Sequence, residues 1–190
     1  MNRQYTLSNV TKEYLSAFHC ILDDMMDGMT GVRPTYSISH NFIAQMIPHH
    51  RAAIEMSRNI LRYTTNLELQ EIAAQIIAEQ TQSIENMQSI QQICGRLENS
   101  RQDVCLYQRR ANQIMRNMFC RMEEARAANE VNCNFMWEMI PHHQGAVEMS
   151  KNALQYHICP ELRPILNAII ASQQRGVRQM RGLLRRLGCC

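Results

Sequence analysis

Apolar residues recur at helical spacing along most of the chain. Tyr14, Leu15, Phe18, Ile21, Leu22 and Met25 share one face of a segment from about Leu7 to Asp27, which predicts a first helix. Gly28, Gly31 and Pro34 are expected to break it. A second helix is predicted over about Ile38 to Tyr63. A third opens at Thr65-x-x-Glu68, a capping-box pattern, and carries Leu69, Ile72, Ile76, Ile77, Ile84 and Met87 towards Gly95. Ser100-x-x-Asp103 marks the cap of a fourth, continuing to about Ala127. The fifth is predicted from Val131 to His157, and Pro160 suits the first turn of a sixth.

The pattern repeats. Asn41 to Ser57 aligns without gaps on Asn134 to Ser150, with eleven of 17 positions identical at an offset of 93 residues. The same offset pairs Tyr14 with Tyr107, Ile21 with Ile114, Met25 with Met118, Met29 with Met122, Gln80 with Gln173 and Met87 with Met180. Two repeats are therefore expected, residues 1–97 and 98–190, each of three helices. Two copies are too few for a solenoid. The expected fold is all-α, with a ferritin-like four-helix core made by the second, third, fifth and sixth helices. Short connections make neighbours antiparallel and leave the first and fourth helices against the outside or end of that core. Trp137 stands where Ala44 does, so the halves cannot pack identically.

Composition adjusts this picture only a little. Hydrophobic residues make up 45%, which argues against disorder, and only seven Gly and five Pro interrupt the helical runs. A formal net charge of +3 is too small to argue for a nucleic-acid partner. No acid follows Glu161, whereas Arg175, Arg178 and Arg185 fall near one helical stripe. That stripe is either a solvated face or a contact for an acidic protein partner. No segment is long and apolar enough to span a membrane, and Lys12, Glu13, Asp23 and Asp24 interrupt any signal-peptide run. A cytoplasmic location is therefore expected, with the eight cysteines mostly reduced. No CxxC pattern occurs. Cys20, Cys94, Cys105, Cys120 and Cys159 are expected to serve as small buried hydrophobes. Cys189 and Cys190 read as a terminal dithiol, incidental or able to bind soft metal or cross-link.

The chemistry lies in Met-Ile-Pro-His-His. At about 100° per residue, Phe42, Met46, His49, His50, Ala53 and Met56 share one helical face, and Glu55 points away. Met139, His142, His143, Ala146 and Met149 repeat the arrangement. A core stripe normally holds Leu and Ile; here it holds imidazoles that need partners. Pro48 and Pro141 add an interior-proline cost of about 3 kcal/mol to each helix. Three readings stay open: structural His pairs bonded across the bundle, metal ligands, or a general base. Catalysis has least support, since no nucleophile or paired acid stands at a recognisable spacing. A non-catalytic protein is expected. As ligands, His49, His50, His142 and His143 with Met46, Met56, Met139 and Met149 form a soft-to-borderline set suited to copper. Glu-x-x-His, expected of a di-iron site, is absent from both helices. Adjacent His diverge by about 100°, favouring a site shared across the twofold or two sites per bundle.

Other candidates are weaker. Met25, Met26 and Met29, with Met115, Met118 and Met122, form core or a Met-lined route to the His pairs. His40 and Cys133 occupy equivalent positions before the His-His segments, and both residue types ligate soft metal. His19 and His157 read as ordinary helix residues.

At these motifs the chain resembles the bacterial family called Domain of Unknown Function 305, whose hallmark is Phe-x-x-x-Met-Ile-Pro-His-His-x-x-Ala-Ile-x-Met on a ferritin-like hairpin. The match falls at Phe42 to Met56 and Phe135 to Met149, and extends weakly through Gln80 to Met87 and Gln173 to Met180. The resemblance implies a four-helix bundle and, because some members bind copper in the periplasm through Met and His, copper handling. The departures are specific. A Glu of the family's later stretch is Ser83 in one copy and Gly176 in the other, and acids before the motif are replaced by Ser39, Asn41, Asn132 and Asn134. Losing hard oxygen ligands weakens an iron or manganese role, and the missing export signal separates the chain from periplasmic carriers. A cytosolic copper buffer, as a single chain or a homo-oligomer, is one expectation; a coat or scaffold bundle with the His pairs as core groups is the other.

Overall fold

The computed structural model describes residues 6–189. Six helices account for most of them: α1 (Asn9–Thr30), α2 (Ile38–Leu61), α3 (Leu67–Cys94), α4 (Arg101–Glu123), α5 (Val131–Ala153) and α6 (Leu162–Arg186). The fold is an all-α bundle. Helices α2 and α3 pair as one hairpin and α5 and α6 as another; α2 lies on α5 and α3 on α6, closing a four-helix core. Helix α1 lies on α2 and α4 on α5.

Short polar side chains start most helices. Ser8, Ser37, Asn66 and Ser100 accept from the backbone N–H of Thr11, His40, Leu69 and Asp103. Each cap stabilises its helix by about 1 kcal/mol. Ser100 is the expected cap, but the third helix is capped by Asn66 and not by Thr65. Thr64 Oγ1 instead accepts the Asn66 N–H, setting the turn that aims Asn66.

Other boundaries differ for local reasons. Helix α1 runs through Gly28 to Thr30, past its expected stop. A Cβ on Gly28 would lie 2.8 Å from Pro48 Cβ, so this glycine serves close approach of α1 to α2 and leaves the helix intact. Helix α4 stops at Glu123, short of Ala127. Helix α5 ends at Ala153, and Tyr156 packs edge-on against Tyr107 with ring centroids 5.9 Å apart. His157 is therefore in a connection, not a helix. Pro160 precedes α6 and does not join its first turn. Both Pro48 and Pro141 sit inside helices that continue past them.

Contacts recur at the 93-residue spacing. Asn59 Nδ2 donates to the Tyr14 carbonyl and Asn152 Nδ2 to the Tyr107 carbonyl, at 3.1 and 3.2 Å. The Asn41 and Asn134 side chains accept from the N–H of Thr35 and Ala128 at 2.8 and 2.9 Å. These asparagines, read only as lost acids, hold the loops that lead into α2 and α5.

The cysteines depart most from expectation. Cys94 pairs with Cys159 and Cys133 with Cys189, with Cα–Cα separations of 5.2 and 5.9 Å, inside the range a disulfide requires. Gly188 takes a left-handed φ of 70°, ending α6 and returning Cys189 towards Cys133. Cys189 is thus no part of a mobile dithiol, and Cys190 lies outside the described residues. Cys20, Cys105 and Cys120 are exposed, not buried. The polar outer faces of α1 and α4 carry them.

Two glycine substitutions separate packing from propensity. Gly28→Ala should lower stability by about 1–3 kcal/mol, because its Cβ must push α1 off Pro48. Gly182→Ala, whose nearest neighbour is the flexible Arg186 tip at 3.4 Å, should raise it by about 0.5–1 kcal/mol. Denaturant unfolding of both variants tests the pair.

Candidate metal centre

Helices α2 and α5 cross at their His-His segments. His49 and His142 are fully buried, and their rings stack with centroids 3.7 Å apart. His49 Nε2 lies 3.2 Å from the His142 carbonyl and His142 Nε2 lies 3.1 Å from the His49 carbonyl. A carbonyl only accepts, so each Nε2 carries the proton and each Nδ1 keeps its lone pair. Neither Nδ1 has a hydrogen-bond partner.

His50 and His143 point to either side of this stack, each 5.9 Å from its neighbour's ring centroid. His50 Nε2 meets Ser83 Oγ at 3.0 Å. In the second half Gly176 replaces that serine, and a Cβ there would come within 2.9 Å of His143 Cδ2. The glycine makes room for the ring. Again both Nδ1 atoms are buried without partners. A cleft of about 420 Å³ between α3 and α6, lined by Ser83, Asn86, Ser172 and Arg175, reaches His50 from outside.

Met46, Met56, Met139 and Met149 are buried on the same helices, none more than 2% exposed. The eight ligands expected from sequence therefore all belong to the interior. The flanking methionines do too: Met25, Met29, Met115, Met118 and Met122 are core residues, and Met26 is half-buried. Met118 packs over Gly145 of α5, whose missing side chain admits it. Of the weaker candidates, His19 is exposed, His40 is half-buried and Cys133 is bonded to Cys189. Glu55 faces outward and pairs with Arg58 at 2.6 Å. Arg175 of the basic stripe is taken by Glu79 at 2.6 Å, so the stripe is partly neutralised within the chain.

Burial keeps the four imidazoles neutral. His50 is held down at about 3 and His142 at about 4; His49 and His143 also lie well below the usual value. Loss of solvation is the chief cause, and repulsion from the neighbouring rings adds to it for His49, His50 and His143. Neutral imidazole is the ligating form.

The sequence reading missed one buried acid. Glu138 is 1% exposed, and the Tyr14 hydroxyl donates to its Oε2 at 2.5 Å. Burial pushes its carboxyl up to about 8 despite that bond. The equivalent residues in the other half are Gln45 and Tyr107; the Gln45 Oε1 and the Tyr107 hydroxyl are buried with no partner. Substitution of Gln45 by Glu138 at the 93-residue offset was the available signal.

Four neutral imidazoles, each with a free Nδ1 and thioether-bearing residues nearby, suit a soft cation. The only buried carboxylate on these faces is engaged by a tyrosine, which disfavours hard metals. Among the described residues, no three of the His, Cys, Asp or Glu ligand atoms here converge within 4.8 Å, so a site of three or more ligands at this layer needs donors beyond these side chains.

The family described as "Domain of unknown function (DUF305)" matches residues 39–184. Solved structures of similar fold include silver-bound CopM, 28% identical over 78% of this chain and 95% of that chain, with a TM-score of 0.59. Cu(I)-bound CopM is 27% identical over 82% and 99%, with a TM-score of 0.58. A DUF305 fragment from Deinococcus radiodurans, 22% identical over 81% and 99% with a TM-score of 0.59, shares the fold. No curated protein sequence matches the chain.

Two stability predictions follow from the buried acid and the rings. Tyr14→Phe should cost about 1.5–3 kcal/mol because it strands Glu138, whereas Tyr107→Phe should be nearly neutral, its hydroxyl having no partner to lose. Thermal unfolding of the two variants measures the contrast. On pH, the imidazoles bind fewer protons folded than unfolded. Stability is full above about 6.5 and falls as acidity increases through the depressed values near 4 and 3. Glu138 acts oppositely: its contribution is full below about 4.5 and fades as pH rises through about 8. Melting temperature against pH should therefore fall on both sides, and Glu138→Gln should flatten the alkaline side alone.

Proposed function

The chain belongs to the DUF305 family, and we propose that it is a non-catalytic protein that binds soft metal, copper above all, for buffering or sequestration. The observation that carries this reading is the set of four buried, neutral imidazoles whose Nδ1 atoms have no partner. An unpaired polar atom in a core is costly, and four of the same kind on two crossing helices invite a ligand that can use them. The reciprocal bonds from Nε2 supply what metal-ligating imidazoles commonly have, a backbone carbonyl that fixes tautomer and ring orientation.

In this reading His49 and His142 donate through Nδ1 near the twofold, and His50 and His143 act on either side. Met46, Met56, Met139 and Met149 complete the coordination with sulfur. Each three-helix half supplies one His-His segment, and the site lies where α2 meets α5. The cleft above His50 is the route in. Likeness to CopM structures containing silver, Cu(I) and Cu(II) supports the choice of metal.

Two cysteine pairs at bonding distance fit an oxidising environment more readily than the cytosol. A structural reading, with the rings as packed core groups, has the reciprocal carbonyl bonds in its favour and leaves the four Nδ1 atoms unexplained.

Titration with Cu(I) against a competing chelator tests the proposal. The native protein should take up copper stoichiometrically and gain thermal stability as it does. A His49→Ala, His142→Ala variant that remains helical should lose that uptake. Undiminished copper binding in the variant, or none in the native protein, refutes the assignment.

A further inference from the structure

The bundle holds a second cluster of soft-metal ligands, remote from the imidazoles. Cys94 ends α3, Cys159 lies in the connection before α6, and Glu161 stands at the N-cap of α6. Their ligand atoms all lie within 4.8 Å of one another, the only such group of His, Cys, Asp or Glu among the described residues. Both cysteines are buried, Cys94 completely, and Glu161 is exposed at the surface. Along α3, Cys94 lies eleven residues beyond Ser83, the partner of His50, which places the cluster about 16 Å from that histidine's layer.

Glu161 gives the arrangement its meaning. Its Oε2 lies 2.9 Å from Cys159 Sγ, which is bonded to Cys94. A thiol can donate to a carboxylate; a disulfide sulfur has no proton to give. Reduction supplies that proton and leaves two thiols beside a carboxylate, three ligand atoms already within 4.8 Å of one another. The surrounding backbone is held independently: Ser37 Oγ donates to the Cys94 carbonyl at 3.0 Å, and the Cys159 N–H donates to Ser39 Oγ at 2.9 Å. Neither bond involves a sulfur atom, so reduction does not itself break either one.

We propose that Cys94, Cys159 and Glu161 form a redox-gated site for a thiophilic divalent cation such as Cd(II) or Zn(II), closed as a disulfide and opened by reduction. The step balances simply. Two molecules of a thiol reductant deliver two electrons and two protons to the Sγ–Sγ bond, giving two protein thiols and one reductant disulfide. The cation then displaces both thiol protons to solvent and is held by two thiolates and the Glu161 carboxylate. The site owes nothing to the imidazole layer and stands or falls separately.

Cd(II) is the probe, because its thiolate charge-transfer absorption in the ultraviolet reports sulfur ligation and is silent to imidazole. Excess thiol is removed before titration. The exposed Cys20, Cys105 and Cys120 thiols set a background band in the oxidised protein, and the reduced native protein should develop a larger one. Cys94→Ser, Cys159→Ser should lose most of the increase, whereas His49→Ala, His142→Ala and Cys133→Ser, Cys189→Ser should retain it. Glu161→Gln, at an exposed position that leaves folding intact, should weaken Cd(II) affinity about tenfold. A reduced protein whose band is no larger than that of the Cys94→Ser, Cys159→Ser variant overturns the proposal. So does an unchanged affinity in Glu161→Gln, which decides the matter alone if the double cysteine variant does not fold.

Discussion

The contact on which the bundle turns is the exchange between His49 and His142. Each ring sends its Nε2 proton to the other's backbone carbonyl while the two rings stack. The exchange satisfies only half of each imidazole. It fixes the tautomer, aligns α2 with α5 at one register, and leaves two basic nitrogens in a place water does not reach. Neutrality is enforced as well, since a proton on either ring would put a charge in the core against a stacked neighbour. Core position, tautomer and charge state all follow from one reciprocal pair.

Small residues and prolines make that crossing possible. Pro48 and Pro141 sit directly before the His pairs in helices that nevertheless continue. Each half packs its outer helix on the motif helix through a glycine, but not the same one. Gly28 of α1 meets Pro48 in the first half; Gly145 of α5 admits Met118 of α4 in the second. Equivalent function of the two outer helices is thus reached by different substitutions. Elsewhere the two halves hold their geometry closely, as the Asn59–Tyr14 and Asn152–Tyr107 bonds attest.

Much of this was legible in the sequence. Helical periodicity gave six elements of the right kind, and the helical face containing Met46, His49, His50 and Met56 is indeed interior. Periodicity works here because buried positions repeat every three to four residues. What escaped it depends on contacts between distant segments. Gly28 looked like a helix breaker because a glycine's packing partner, Pro48, lies on another element. The cysteine pairs are 65 and 56 residues apart in sequence, with no local spacing to reveal them. Glu138 was passed over because its tyrosine partner is 124 residues away. The asparagines before each motif looked like lost ligands, whereas they tie down the loops entering α2 and α5.

The bond between Tyr14 and Glu138 joins the outer helix of one half to the motif helix of the other. Its counterpart, Tyr107 facing a position held by Gln45, is unbonded. The halves are therefore no longer interchangeable parts. Were each to associate with its own duplicate, one assembly would set tyrosine against glutamine twice and the other would bury two carboxyls. Only the covalently joined, mixed pairing contains a single acid with a single donor committed to it, so chain connectivity itself has become a determinant of the electrostatics of the interior.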